Sequence, residues 1–407
     1  MTTAAESQLL FLQLLNPSNR ADPYPIYHRV RNSGRPRLPD IPFVVLSSYR
    51  ACDEALRHPS SISDRRKSTL GQRLIAEGLD PRSPIQPGFL FLDPPDHTRL
   101  RKLVSKAFAP KVVKALESEI AAMVDALMDR IEERGEFDVV ADLAHPLPVS
   151  VICRLLGVPV EDEPKFSRAS TLLAQALDPF ITITGEAAEG DDERLEASRW
   201  LRAYMRDLIR QRRSDPGEDL MSELIRVEES GDQLTEAEII STCNLLLVAG
   251  HETTVNLIGN AILALLRSPG QWAALGVDPG RAPTVVEESL RCDPPVQLLG
   301  RIAAEDMTIG GTAIARGETM MLLLAAANRD PAVFVRPDQF DPDREEIRHL
   351  SFSKGPHFCL GAPLARMEGA LALSAVTARF PDARMVSKPR YKKNLNLRGL
   401  ESLTVAV

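Results

Sequence analysis

Only five cysteines occur in the 407 residues, and none forms a C-x-x-C pair. That excludes the common structural zinc sites and a disulfide framework. Ser/Gly linkers, internal repeats and low-complexity tracts are missing too, so nothing divides the chain and one domain over residues 1–407 is expected. Nor is there an excess of positive charge. With 49 basic and 56 acidic residues the net charge is −7, which leaves no overall electrostatic footprint for nucleic acid. Long apolar runs are scarce: Leu9 to Leu15 is far too short to cross a bilayer and lacks the basic flank of a secretion signal. No membrane anchor is expected, and unpaired cysteines fit a reducing cytoplasm. What remains is a chain whose 44% hydrophobic content can bury a large core.

Within it, Phe352 to Gly361 (FSKGPHFCLG) presents a cysteine rather than hiding it. Gly355 permits a tight turn with positive φ, Pro356 stiffens it, and Gly361 admits close backbone approach. Such a loop can aim N–H groups at the sulfur of Cys359 and hold it as a thiolate, the metal-binding form. The apolar stretch Pro363 to Val376 reads as a helix whose N-terminus favours negative charge at that sulfur. On these residues alone a buried structural thiol, a nucleophile with His357 as its base, and a metal ligand all stay open.

Three further patterns lie far from the loop. A capping box at Thr235 to Glu238, with Leu234 placed to staple onto Ile239, announces a helix that apolar and small residues carry to Ser268-Pro269. It would span roughly 45–50 Å. In its middle, Ala249-Gly250-His251-Glu252-Thr253-Thr254 sets weak helix formers beside an acid whose burial is costly. Either small residues pack there against a neighbour, or Ala249 and Gly250 make room for a small ligand while Thr253 and Glu252 supply groups for proton delivery. Pro283 to Arg291 reads as a short helix with Glu288 and Arg291 as i,i+3 neighbours, and Phe340-Asp341-Pro342-Asp343-Arg344 follows later. Asp93 to Arg101 (DPPDHTRLR) opens a basic helix that puts His97 and Arg101 on one face.

In this order the patterns resemble those of the cytochromes P450, soluble bacterial type: F-x-x-G-x-H-x-C-x-G, A-G-x-[DE]-T, E-x-x-R completed by F-x-P-x-R, and D-P-P-x-H-x-x-x-R. The resemblance covers nearly the whole chain. It implies the mainly α, prism-shaped fold with small β-sheets, and haem b lying between the long helix and the cysteine loop. Cys359 would be the axial thiolate and metal ligand, a position that favours O–O cleavage. His97, Arg101, Arg301 and His357 would hold the propionates, which need cationic and N–H donors. Phe352 would pack against the haem beside the thiolate, with Gly361, Ala249 and Gly250 also lining the cofactor. Thr253 and Glu252 would be catalytic, in proton delivery, and His251 falls at a variable position with no assigned role. Glu288, Arg291 and Arg344 would form a structural triad.

The activity implied is insertion of one oxygen atom from O₂ into a lipophilic small molecule, by hydroxylation or epoxidation. By analogy the pocket walls come from Leu245, Val248, Ala249, Val296, Gln297 and Leu397, with Gln297 a polar contact. Its roof comes from segments near residues 62–90 and 175–192, including Pro179 to Ile183. No flavin or iron–sulfur segment follows the haem loop, so electrons from NAD(P)H would arrive through a ferredoxin and its reductase. Arg99, Lys102, Lys106, Lys111, Lys114, Lys354 and Arg366 offer positive charge for steering such a partner to a monomer. A peroxide-driven peroxygenase and a non-catalytic haem-thiolate sensor are the rival readings. One departure stands out: Ser353 occupies a position where the family usually has glycine, and positive φ there would strain it.

Overall fold

The computed structural model describes the chain apart from residues 1–3, 34–36, 39–40, 78–87, 176–189 and 230–233. Six helices concern the site: α1 (Asp96–Ser105), α2 (Pro146–Leu156), α3 (Glu163–Gln175), α4 (Glu236–Leu266), α5 (Ala282–Cys292) and α6 (Ala362–Arg379). The start of α4 is written in four residues. Thr235 Oγ1 accepts from the Glu238 N–H, and the Glu238 carboxylate accepts from the Thr235 N–H at 2.9 Å. Both otherwise unpaired donors of the first turn are thereby satisfied. Leu234 and Ile239, the expected staple, are both buried.

At 31 residues α4 is about 46 Å long and apolar on nearly all sides. Such a helix must be covered all round, and α2, α3, α5 and α6 pack against it. The apolar stretch Val139–Leu156, the one among the described residues long and apolar enough to cross a membrane, is instead mostly buried in this core. Inside α6, Glu368 is buried with Oε2 unpaired among the described residues, and burial pushes its carboxyl up to about 8.

A five-stranded sheet flanks the helices, built from β1 (Arg37–Leu38), β2 (Ile41–Leu46), β3 (Ser61–Ile62), β4 (Leu299–Ala303) and β7 (Thr319–Leu322). Its order is β1-β2-β7-β4-β3, with β2 and β7 parallel from Phe43↔Thr319 to Leu46↔Leu322. A separate hairpin pairs β5 (Met307–Ile309) with β6 (Thr312–Ile314) across Gly310 and Gly311, whose φ of 54° and 82° is the conformation such a tight turn demands. The sequence reading of Met307 to Leu324 as one hairpin is therefore too long. Met320, Met321 and Leu322 are buried, and β7 gains cover by leaving the hairpin for the larger sheet. The expected strands at the chain end are present at Leu400–Ser402 and Thr404–Ala406.

Candidate functional site

The cysteine loop is held open by backbone conformation. Gly355 has φ 67°, and a Cβ on it would lie 2.6 Å from the Leu56 carbonyl oxygen, so only glycine fits. Ser353 has φ 62° and adopts the left-handed conformation foreseen for that position, its N–H donating to Leu350 O at 2.8 Å. Gly361 is different. Its φ of −79° is ordinary, and a Cβ there would meet no protein atom within 4 Å. Cys359 N–H donates to Phe352 O at 2.8 Å, while the sulfur accepts from the N–H groups of Gly361 and Ala362 at the start of α6. Burial nevertheless pushes the thiol up; those two N–H groups, Arg101 and Arg366 pull the other way and only partly offset it. A metal bound at the sulfur would favour its ionised form.

Behind the loop sits a buried polar frame. Arg291 donates from Nε and Nη2 to both oxygens of Glu288, at 2.7 and 2.8 Å, and Arg344 Nε donates to Glu288 Oε1 at 3.0 Å. The remaining guanidinium donors go to the carbonyls of Asn328, Pro337 and Gln339 for Arg291, and of Val335, Arg336 and Gln339 for Arg344. Two residues absent from the sequence reading tie this frame to the loop. Asn328 accepts from the Leu350 N–H and donates to Ser351 Oγ, both at 2.8 Å. Glu287, on α5, accepts from Arg366 at 2.6 and 2.9 Å and contacts His349 Nε2 at 3.2 Å. Burial would raise its carboxyl, but these partners win and hold it down at about 2. The Arg366 guanidinium lies 4.6 Å above the Phe352 ring, so the phenylalanine beside the sulfur is clamped from a cation.

Four donors converge on another side of the loop. The rings of His97 and His357 stack with centroids 4.1 Å apart, and Ser63 Oγ lies 3.1 Å from His357 Nε2. Arg101 donates to Phe358 O, and Arg301, buried, donates to the neighbouring Gly300 O at 3.0 Å. Burial, with Arg301, His97 and Arg101 nearby, pushes His357 down to about 3. Burial likewise lowers His97, and both of its ring nitrogens lack a partner among the described residues. A buried imidazole with two unmet hydrogen bonds, next to two guanidinium groups with no bonded carboxylate among the described residues, is a site that acidic oxygens would complete. The donors therefore fit a haem with two propionates.

On α4, Ala249, Gly250 and Thr253 are partly accessible although the residues around them are buried. A Cβ on Gly250 would sit 3.8 Å from the nearest neighbour, Ile152, so tight helix packing does not explain the glycine. Thr253 Oγ1 donates to Ala249 O at 2.6 Å. Glu252 is buried and ion-paired with Lys392 Nζ, which also donates to Asn256 Oδ1 at 2.9 Å. Leu245, Val248, Ala249, Val296 and Leu397 belong to one apolar cluster, with Val296 and Leu397 joined by a β-bridge. Gln297 does not serve as the expected polar contact: Tyr27 OH donates to its Oε1 at 2.9 Å, and its Nε2 donates to Pro294 O at 2.6 Å. Of the expected roof, residues 78–87 and 176–189, including Pro179 to Ile183, lie outside the described residues. The basic face is also smaller than its sequence implies, because Arg99 pairs with Glu238, Lys114 with Glu117 and Arg366 with Glu287.

Over residues 35–275 and 282–394 the chain matches the cytochrome P450 family profile. The chain belongs to the cytochrome P450 family. A solved relative, Mycobacterium smegmatis CYP164A2 in its ligand-free state, is 62% identical over 98% of this chain and 100% of its own, with a TM-score of 0.93. Cytochrome P450 107B1 of Saccharopolyspora erythraea is 41% identical, covering 89% of this chain and 88% of its own. The vitamin D(3) 25-hydroxylase of Pseudonocardia autotrophica is 39% identical over 95% and 94%. As a bacterial P450 the protein is a haem-thiolate monooxygenase that uses O₂ on a lipophilic small molecule.

Proposed function

We propose that this P450 binds haem b through Cys359, takes electrons from NAD(P)H by way of a ferredoxin and its reductase, and hydroxylates or epoxidises a lipophilic substrate in the cytoplasm. The partly accessible face of Ala249, Gly250 and Thr253 on an otherwise buried helix carries this reading. The haem, when bound, supplies reductive activation of O₂ and oxidation of the substrate.

Around it the chain's own residues divide the work. Cys359 provides the sulfur ligand, with the Gly361 and Ala362 N–H groups to share its negative charge. His97, Arg101, Arg301 and His357 hold the propionates, and Phe352 braces the sulfur side under Arg366. Ala249 and Gly250 keep the opposite side clear. The Thr253 hydroxyl, already donating to Ala249 O, has lone pairs left to accept a hydrogen bond from a water carrying a proton inward from Glu252, the one acid on this stretch of α4. Leu245, Val248, Val296 and Leu397 exclude water and offer only apolar contact, which suits a substrate as lipophilic as that named for the vitamin D hydroxylase relative. Exposed Phe358, together with Lys102, Lys106, Lys111 and Lys354, for which no carboxylate partner is found among the described residues, supports docking of an acidic ferredoxin.

Replacing Thr253 with Ala tests the reading. Product formed per NADPH consumed, measured with ferredoxin and reductase, should fall several-fold while hydrogen peroxide accumulates. Full coupling in that variant, or turnover by wild type with peroxide alone that outruns the reductase system, would sink it.

A further inference from the structure

His251, between Gly250 and Glu252, has no part in that scheme, yet it is fully buried. Its Nδ1 lies 3.0 Å from Ser170 Oγ of α3, and Ser170 Oγ in turn donates to Leu247 O at 3.4 Å. With its hydrogen committed to that carbonyl, the hydroxyl accepts from Nδ1–H, which leaves Nε2 without a hydrogen. Nε2 has no partner among the described residues, and neither has Glu252 Oε2. The His251 ring meets His145 edge-on at 4.8 Å, and His145, only half-buried, contacts Ser167 Oγ at 3.2 Å through Nε2.

His145 thus lies between the His251 ring, met edge-on, and the charges of Glu252 and Lys392. Burial and Lys392 lower His145 while Glu252 raises it; burial, His145 and Lys392 lower His251 further. No other charged group among the described residues acts on either histidine. Buried polar atoms without protein partners are usually met by ordered water, so each of the two orphaned atoms has room in its hydrogen-bonding for one.

A carboxyl that has given up its proton must be loaded again before it can give another. Lys392 is a poor source, because an ammonium ordinarily holds its proton about six pH units more tightly than a carboxyl. An imidazolium holds it only about two units more tightly, and these two histidines release it more easily still. We propose that His145 and His251 feed protons from solvent to Glu252 Oε2, His145 taking each proton at the surface and His251 Nε2 handing it on through a buried water. One proton enters, one is delivered, and each carrier returns to its starting form. Lys392 keeps the empty carboxylate oriented between deliveries. This rests on the reading of Glu252 and Thr253 as the inward proton path.

The experiment compares His145→Gln, His251→Asn and Thr253→Ala in the haem-loaded protein with ferredoxin and reductase. His251→Asn keeps a donor for Ser170 but cannot titrate. Both histidine variants should retain haem content and, above pH 6.5, melting temperature, yet lose about tenfold in turnover, show a larger solvent deuterium isotope effect and lose the acidic limb of the rate–pH profile. As a readout apart from turnover, NMR titration of His145 in the diamagnetic ferrous carbon monoxide form should move to lower pH on Glu252→Gln. Unchanged coupling, isotope effect and pH profile in both histidine variants, with Thr253→Ala still uncoupled, would overturn the relay and leave the Thr253 reading standing. Tight coupling in Thr253→Ala would instead remove the reading on which the relay depends.

Discussion

Ser353 is strained for a reason that a single dihedral states: an L side chain at φ 62° crowds its own backbone. Its hydroxyl is buried without a partner among the described residues, so nothing local offsets the cost. Ser353→Gly should raise stability by about 1 kcal/mol, read from the denaturation midpoint of the ferric protein. Gly355→Ala should lower it by more, because the added methyl meets the Leu56 carbonyl as well as the wrong φ. Both positions were legible in the sequence, since turn chemistry is local. Gln297 was not: its amide is spent on Tyr27, 270 positions away, and no nearby residue announces that. Lys392 escaped for the same reason, lying 140 positions from Glu252.

Elements follow the same division. The α4 start is encoded in Thr235 and Glu238, and α5 and α6 sit where their prolines and periodicity place them, within a residue or a turn. The partnership between α5 and the cysteine loop was half legible: E-x-x-R marks Glu288 and Arg291, but Asn328 and the Glu287–Arg366 pair carry no local signature. Glu288 neutralises two buried guanidinium groups, so Glu288→Gln strands them both. Removing one partner of a buried ion pair costs about 3–5 kcal/mol, and the variant should unfold at correspondingly lower urea. If its midpoint matched wild type, the triad would have no structural weight.

At the scale of the molecule, two buried groups and the half-buried His145, all away from the haem donors, set a pH optimum. His145 and His251 are held below the ordinary 6.5, so below that pH the unfolded chain binds protons that the folded one refuses, and stability is lost as pH falls. Glu368 runs the other way: raised from 4.5 to about 8, it keeps a proton that the unfolded chain releases, and stability is lost as pH rises between those values. Each proton changes stability by about 1.4 kcal/mol per pH unit. Two histidines outweigh one glutamate below 6.5 and the glutamate acts alone above it, so melting temperature should peak near about pH 6.5. Glu368→Gln should abolish the decline toward pH 8.

The parallel pairing of β2 with β7 also sets a timetable. Phe43 to Leu46 must wait for Thr319 to Leu322, about 280 residues later, before its hydrogen bonds can close. At roughly 5–20 residues per second the ribosome imposes a delay of about 15–55 s, during which one edge of an apolar strand stands unpaired. Under the site assignment proposed above, the cofactor cradle is later still, since His357 and Cys359 emerge after both strands. Haem capture would then close the assembly rather than nucleate it, and an early shortage of haem would leave a nearly complete chain waiting with its thiol accessible to oxidants.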